Sequence, residues 1–538
     1  MQPVFGRQPG YVVSYCPVAS AHGMRVLEEG GNAVDAAVAT GLALAVTYPQ
    51  AGNIGGGGFM LIAPHKEPVS FLDYREVAPK NITPQDYLVD GRRGEAMVLG
   101  AKSAAVPGTI AGFAKALETH GTMAWDRIVG QIVDLAENGV IITSRQAAYL
   151  NAYRETLSRF ESTRKVFGRS ILPATRFLQP DLAQTFRRLA EHGPRDFYRG
   201  RLAALLLDEI RRGGGPMSLD DLVDFEAKWR VPFTCEAFGR RIWTAPFPSG
   251  GGLVVHLTLR ILDGLGYASL PARSLERYQL LIRAFRVAFW MRQTYAVDPD
   301  FLTEEQQLEI ETLLECRITR SQLEEWETKL RQDKRLLENE AAYLRSQNKN
   351  TTHFSVLDSA GNAVSNTYSL NTLFGSKLVV NGAGYLLNNT LDDFGVGRGT
   401  PNWYGILDGD RNTLAGGRRP VGSMAPTIVE VDGVPELVIG GSGGPTIPTM
   451  VVQTLLGLVL DGRSVAAALA EPRVHHQHSK AELRLENAVA QSIRDTLFLD
   501  DDPRTFVSRI GIGAAIHRDR DTGQVQAALD PRFGLHGQ

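Results

Sequence analysis

The junction Asn350–Thr351 constrains this chain more than any other feature. Upstream of it, Glu304 to Leu344 is dense in Glu, Lys and Arg with leucines at loose helical spacing, and ends in the polar run Ser346-Gln347-Asn348-Lys349-Asn350. Downstream, Thr352, Phe354, Val356 and Asp358 alternate with His353, Ser355 and Leu357, the two-residue period of a β-strand. A polar loop, where a chain break does least harm, therefore enters a strand at a threonine. Were that peptide bond cut, Thr351 would carry a hydroxyl and a free α-amine on one residue, a nucleophile with its own base. Taken alone, the same residues describe an ordinary surface loop entering a strand.

A chain of 538 residues exceeds a typical single core, so two domains or one unusually large layered domain are the alternatives. Hydrophobic residues at 43% and charged residues at 22% are ordinary globular composition, which excludes disordered and collagen-like chains. The net charge of -2 offers no footprint for nucleic acid or an anionic membrane, so the expected partner is small. Cys16, Cys235 and Cys316 lie far apart without metal-ligand spacing, and buried free thiols are expected. The first ten residues show neither a basic nor an apolar leader region, and no run approaches the roughly 18 apolar residues of a membrane span. The expectation from these signals is a cytoplasmic protein, with an exported form whose leader is missing as the alternative.

Helical spacing over Ala19 to Glu29 stops at Gly30-Gly31, and Asn32 to Val46 follows, small and apolar almost all round, as a buried helix is. The run Gly55-Gly56-Gly57-Gly58 opens directly into a strand, the reverse of a phosphate loop, and is read as close backbone packing. Strands are expected at Phe59 to Ala63 and Val69 to Tyr74, ending in Asp73-Tyr74-Arg75-Glu76. Arg75 fits either a carboxylate clamp or a surface ion pair with Asp73 or Glu76. Helices with short loops fill Val106 to about Leu270, apart from a strand pair within Val231 to Thr244. Glu304 to Leu344 reads as a solvated helix, with a weakly patterned coiled-coil site as the alternative. Beyond Thr351, strands are expected at Ala363 to Leu370, Gly384 to Leu387 and Glu436 to Gly440. Gly443-Gly444 then precedes an apolar helix reaching Leu460, a place for an oxyanion hole or for a plain tight turn. His475-His476-Gln477-His478 lacks a completing ligand spacing and is read as structural; no metal or cofactor is expected.

Taken together, Glu29 to Ala37, Gln50 to Met60, Asp73-Tyr74-Arg75-Glu76, Val106-Pro107-Gly108-Thr109, Thr351-Thr352-His353, Leu386-Leu387-Asn388-Asn389 with Asp392-Asp393-Phe394, and Pro426-Thr427-Ile428 resemble the γ-glutamyltranspeptidase family. The matching segments run in the family's order from about residue 11 to 485. The resemblance implies an α+β, four-layer αββα N-terminal-nucleophile hydrolase made as a precursor that cuts itself at Asn350–Thr351. Residues 1–350 would form a large subunit and 351–538 a small one, joined as a heterodimer in one interleaved unit. It further implies that Thr351 is the nucleophile, with Ser369 supporting it and Gly443 and Gly444 forming the oxyanion hole. By the same resemblance Arg75 and Ser423 meet the donor α-carboxylate, Asn371 and Asp393 its α-amine, and Tyr404 covers the site.

Three positions depart from the family pattern. Ser369 replaces the usual threonine but keeps a hydroxyl, Thr390 stands where Gln or Glu helps bind the donor amine, and Gly422 replaces the first of two serines. If Thr390 and Gly422 each lose one hydrogen bond to a charged group, donor binding weakens by about 3–6 kcal/mol before water compensates. The resemblance therefore implies a hydrolase/transferase acting on glutathione-like γ-glutamyl amides, with water or an amino acid as acceptor. A glutaryl-type acylase of the same superfamily and a non-catalytic relative that never matures are the alternatives.

Overall fold

The structure is a computed structural model that describes residues 9–333, 351–397, 400–407, 409–478, 482–497 and 503–534. Its frame is a pair of six-stranded sheets. The strands are β1 (Gly10–Ser14), β2 (Gly57–Ala63), β3 (Ser70–Asp73), β4 (Lys228–Arg230), β5 (Phe233–Ala237), β6 (Arg240–Thr244), β7 (Thr352–Asp358), β8 (Ala363–Ser369), β9 (Thr427–Val431), β10 (Val434–Ser442), β11 (Ile512–Arg518) and β12 (Val525–Leu529). The first sheet runs β1-β7-β8-β2-β3-β4 and the second β12-β11-β10-β9-β6-β5, with every neighbouring pair antiparallel. Both sheets contain strands from before and from after Thr351, so neither segment owns a sheet.

Alternation along the strands sets the layers. Val438, Ala514 and Ile516 of the second sheet join the core shared with the first, whereas Leu437, Ile439 and Ala515 join the core on its far side. Between the sheets the packing is partly polar: Ser365 Oγ donates to the Ile439 carbonyl at 2.9 Å, and Ser355 Oγ donates to the Val438 carbonyl at 3.2 Å. Buried hydroxyls cost little when paired in this way. Gly440 permits the close approach, since a Cβ there would stand 2.5 Å from the His353 ring.

Helices cover both outer faces, completing four layers. Over the first sheet lie α1 (Pro17–Glu28) and α2 (Ala33–Thr47); α3 (Gly250–Gly264), α4 (Leu275–Tyr295) and α5 (Thr446–Val459) pack outside the second. Every residue of α2 is buried, and Asn32 and Asp35 close a capping box at its start. The glycine run serves close packing as expected: Cβ atoms at Gly55 and Gly56 would stand 2.1 Å from the carbonyls of Leu386 and Ser369.

Some expectations are corrected. Gly384 to Leu387 is not a strand but makes isolated bridges, Val379 with Leu386 and Gly55 with Leu387, because Gly384 turns the chain at φ 77°. The polar stretch after Glu304 is two helices, Glu304–Glu315 and Arg320–Gln332, whose Ile310, Leu323 and Trp326 are buried rather than solvated all round. Its remainder, with Asn350, lies outside the described residues. Cys16 and Cys235 are buried free thiols, and Cys316 is half-buried. His475 is held between Thr449 Oγ1 at 3.1 Å and Gln477 Oε1 at 3.2 Å. No helix among the described residues is long and apolar enough to cross a membrane.

Candidate active site

Strand register brings the first two functional side chains together. Thr352 pairs with Tyr368, so Thr351 falls opposite Ser369, and both point into the inter-sheet space. Thr351 Oγ1 lies 3.5 Å from Ser369 Oγ, both groups buried. Ser369 Oγ accepts the Asn371 amide N–H at 2.9 Å, which ties this hydroxyl to the loop that follows β8. Asn371 takes φ 78°, a left-handed conformation that asparagine tolerates better than most residues.

Arg75 follows the end of β3 and is only 1% exposed, so the surface ion pair is excluded. Its amide N–H donates to Asp73 Oδ1 at 2.9 Å, and its Nε to the Pro420 carbonyl at 3.1 Å. Nη1 meets Glu76 Oε2 at 3.1 Å, and Nη2 meets Asp393 Oδ2 at 2.5 Å. Burial works against the guanidinium's charge, but the Glu76 and Asp393 carboxylates outweigh it and raise the Arg75 pKa. Burial raises Glu76 above the usual carboxylate range despite Arg75 beside it. A Cβ at Gly422 would sit 3.5 Å from Arg75 Nη2, an ordinary contact distance, so the glycine leaves one flank of the guanidinium uncovered.

Asp393 ends the short turn Thr390–Asp393. Arg93 clamps this turn from outside, donating to the Asp392 carbonyl at 2.8 Å and the Phe394 carbonyl at 2.7 Å. Thr390 is directed elsewhere: its Oγ1 donates to Asn388 Oδ1 at 2.7 Å, and it does not line the cavity. Its expected place at the donor amine is therefore a correction, caused by the nearer acceptor on Asn388. Above the site Tyr404 donates through its hydroxyl to the Asn371 carbonyl at 2.7 Å, and its ring would be 2.9 Å from a Cβ on Gly444. Trp403 anchors the same loop through its amide to Asp392 Oδ2 at 2.9 Å. The enclosed space is about 20 Å³, room for about one water.

Gly443 and Gly444, at φ 133° and 57°, turn the chain from β10 toward the N-terminus of α5, where backbone N–H groups and the helix dipole favour negative charge. Beside the nucleophile strand, burial lowers His353 from about 6.5 to about 3, so it is neutral at pH 7. Its Nδ1 lies 2.8 Å from Thr367 Oγ1 and its Nε2 2.9 Å from Ser355 Oγ. The unfolded chain binds this proton between pH 6.5 and 3 while the folded chain does not, so stability is full above 6.5 and falls on acidification. We expect urea unfolding between pH 6 and 4 to lose about 1.4 kcal/mol per pH unit less steeply in His353→Gln than in the wild type. Equal slopes would show that His353 is not the group concerned.

Of the residues expected from sequence, Thr351, Ser369, Arg75, Asn371, Asp393, Ser423, Tyr404 and Gly444 line one cavity; Gly443 stands one residue outside it. Sequence reasoning missed the walls supplied by Met424 and Ile447, the clamp by Arg93, and the Asn388-Asn389 pair as supports. Asn389 Oδ1 accepts the Thr372 amide at 3.1 Å, while its carbonyl accepts Asn371 Nδ2 at 3.0 Å. The doublet next to Asp392-Asp393 was the available signal.

Comparison with known proteins agrees with this geometry. The family pattern Gamma-glutamyltranspeptidase matches residues 19–535. The glutathione hydrolase proenzyme of Escherichia coli K12 is 35% identical over 537 residues, covering 98% of this chain and 91% of its own. That of Pseudomonas aeruginosa is 37% identical over 459 residues, 84% of this chain and 80% of its own. Among solved structures, the Helicobacter pylori γ-glutamyltranspeptidase is similar at 34% identity and TM-score 0.55, over 57% of this chain and 89% of that one. The cephalosporin acylase of Bacillus halodurans shares the fold, at TM-score 0.82 and 24% identity over 99% and 97% of the two chains. With αββα layers, a threonine at the head of a central strand and a match along nearly its whole length, the chain belongs to the γ-glutamyltranspeptidase family.

Proposed function

We propose that this chain is a self-processing γ-glutamyl hydrolase/transferase acting on γ-glutamyl amides such as glutathione. The observation that carries the reading is one cavity holding the Thr351 hydroxyl, the Arg75 guanidinium and the Asp393 carboxylate. In maturation, Thr351 Oγ attacks the Asn350 carbonyl, the peptide becomes an ester, and water hydrolyses the ester to free the α-amine. Residues 1–350 then form the large subunit and 351–538 the small one. In turnover, the α-amine takes the hydroxyl proton as Oγ attacks the donor's γ-carbonyl. The Gly443 and Gly444 amides stabilise the oxyanion, and the leaving amine departs with the proton. The acyl-enzyme then passes its γ-glutamyl group to water or to an amino acid or peptide. Arg75 and Ser423 receive the donor carboxylate, Asp393 and Asn371 its ammonium, and Ser369 orients the nucleophile.

A second reading, a glutaryl-type acylase, is favoured by the Thr390 hydroxyl being committed to Asn388 and by the bare flank at Gly422. Against it stands Asp393 itself, a carboxylate that lines the cavity beside its ion pair with Arg75 and so offers an acceptor to a donor ammonium. Intact mass and steady-state kinetics test both. The expected result is two chains meeting at Thr351 and a higher kcat/KM for a γ-glutamyl anilide than for a glutaryl anilide. The reverse preference would overturn the first reading, and a single uncut, inactive chain would overturn both.

A further inference from the structure

Lys377 lies just behind the site and is used by none of the chemistry above. It is 4% exposed, an expensive position for an ammonium group. It belongs to the connection after β8, where Asn371, Phe374, Gly375 and Lys377 take φ of 78°, 60°, 53° and 63°. Three of these four carry a Cβ, and such left-handed positions cost about 1–2 kcal/mol each unless the surroundings enforce them. A Cβ at Gly375 would stand 2.1 Å from the Leu387 carbonyl, so the loop has no room to relax in that direction.

The lysine side chain supplies an enforcing contact. Nζ reaches back across the loop and donates to Thr372 Oγ1 and to the Gly375 carbonyl, each at 2.6 Å. Thr372 Oγ1, having accepted from Nζ, keeps its own hydrogen for Asn389 Oδ1 at 3.2 Å or the Gly375 carbonyl at 3.1 Å. Asn389 in turn holds Asn371, whose Nδ2 donates to the Asn389 carbonyl at 3.0 Å. Asn371 lines the cavity, and its carbonyl is the acceptor for Tyr404.

We propose that Lys377 is a positioning residue for the donor end of the site, acting through Thr372 and Asn389 to hold Asn371 toward the donor and beneath Tyr404. The inference rests on the γ-glutamyl donor reading above. Burial pushes Lys377 down to about 7, with the Asp392 carboxylate opposing the shift. Asp392 itself is fully buried and paired with Arg93 at 3.0 Å, so it does not hold Lys377 in an ion pair of its own.

The test is steady-state kinetics of Lys377→Met, Thr372→Val and the double variant with a γ-glutamyl anilide, with cleavage at Thr351 followed by intact mass. Each single variant is expected to mature, to raise KM about 10-fold, and to hold kcat within about 3-fold. The double variant should resemble a single one, because both substitutions cut the same connection. KM within 2-fold of wild type in both singles overturns the inference, as do KM effects that multiply. A general structural defect would lower kcat and maturation instead. If Lys377→Met does not accumulate folded, Thr372→Val decides by the same KM criterion. A wild type that matures yet rejects the γ-glutamyl anilide overturns the donor reading and this inference with it, whereas an active wild type with unmoved variants overturns this inference alone.

Discussion

Thr351→Ala is expected to remain one uncut chain by intact mass and to lose turnover of a γ-glutamyl anilide by at least about 10³-fold. Two losses follow from one atom. Without Oγ there is nothing to attack the Asn350 carbonyl, so no α-amine is released, and without both groups there is neither nucleophile nor base. Thr351→Ser separates the effects, since it keeps the hydroxyl and removes only a methyl group. It should mature and turn over, more slowly because the less restricted serine rotamer samples positions away from Ser369, now 3.5 Å from Oγ1. A Thr351→Ala protein that still matures or retains wild-type turnover would refute the nucleophile assignment.

Asp393→Asn is expected to lower kcat/KM for the γ-glutamyl anilide by about 10- to 150-fold, the equivalent of one charge-assisted hydrogen bond of about 1.5–3 kcal/mol. Turnover of a glutaryl anilide should change little or rise, because that donor brings no ammonium to pair. The substitution is nearly isosteric, and Arg75 retains Glu76 at 3.1 Å, so the guanidinium is not left alone. Arg75→Ala is less informative: it strands Glu76 and Asp393 as buried carboxylates and confounds binding with folding. If Asp393→Asn reduced both substrates equally, Asp393 would serve Arg75 rather than the donor's amine.

Much of the site could be read before any fold was known, for reasons particular to its parts. The polar run that enters a strand at Thr351 drew attention to that residue, but alone it describes a surface loop, and the nucleophile role came from the family resemblance. The Gly55–Gly58 run was legible as close packing because its order is wrong for a phosphate loop. Arg75 was not resolved from composition and spacing: a strand-end arginine beside Asp73 and Glu76 is as consistent with a surface pair as with a clamp. Thr390 was assigned to the donor by its position, and a single competing acceptor, Asn388 Oδ1 at 2.7 Å, draws it away. Gly384 to Leu387 alternates as a strand does, yet the positive φ at Gly384 breaks the ladder into isolated bridges.

By itself the sequence determined the elements that depend on short-range patterning: the buried helix α2, the strand that starts beyond Thr351, the glycine turn before α5, and the order of the family's segments along the chain. Only the tertiary structure decided which carboxylates Arg75 meets, that Asp393 reaches it across 318 positions of sequence, and that Lys377 Nζ meets Thr372 in the loop carrying Asn371. The physical reason is distance along the chain. Periodicity and turn chemistry report on neighbours a few residues apart, whereas the partner of a buried charge is chosen by whichever group the packed sheets bring within about 3 Å.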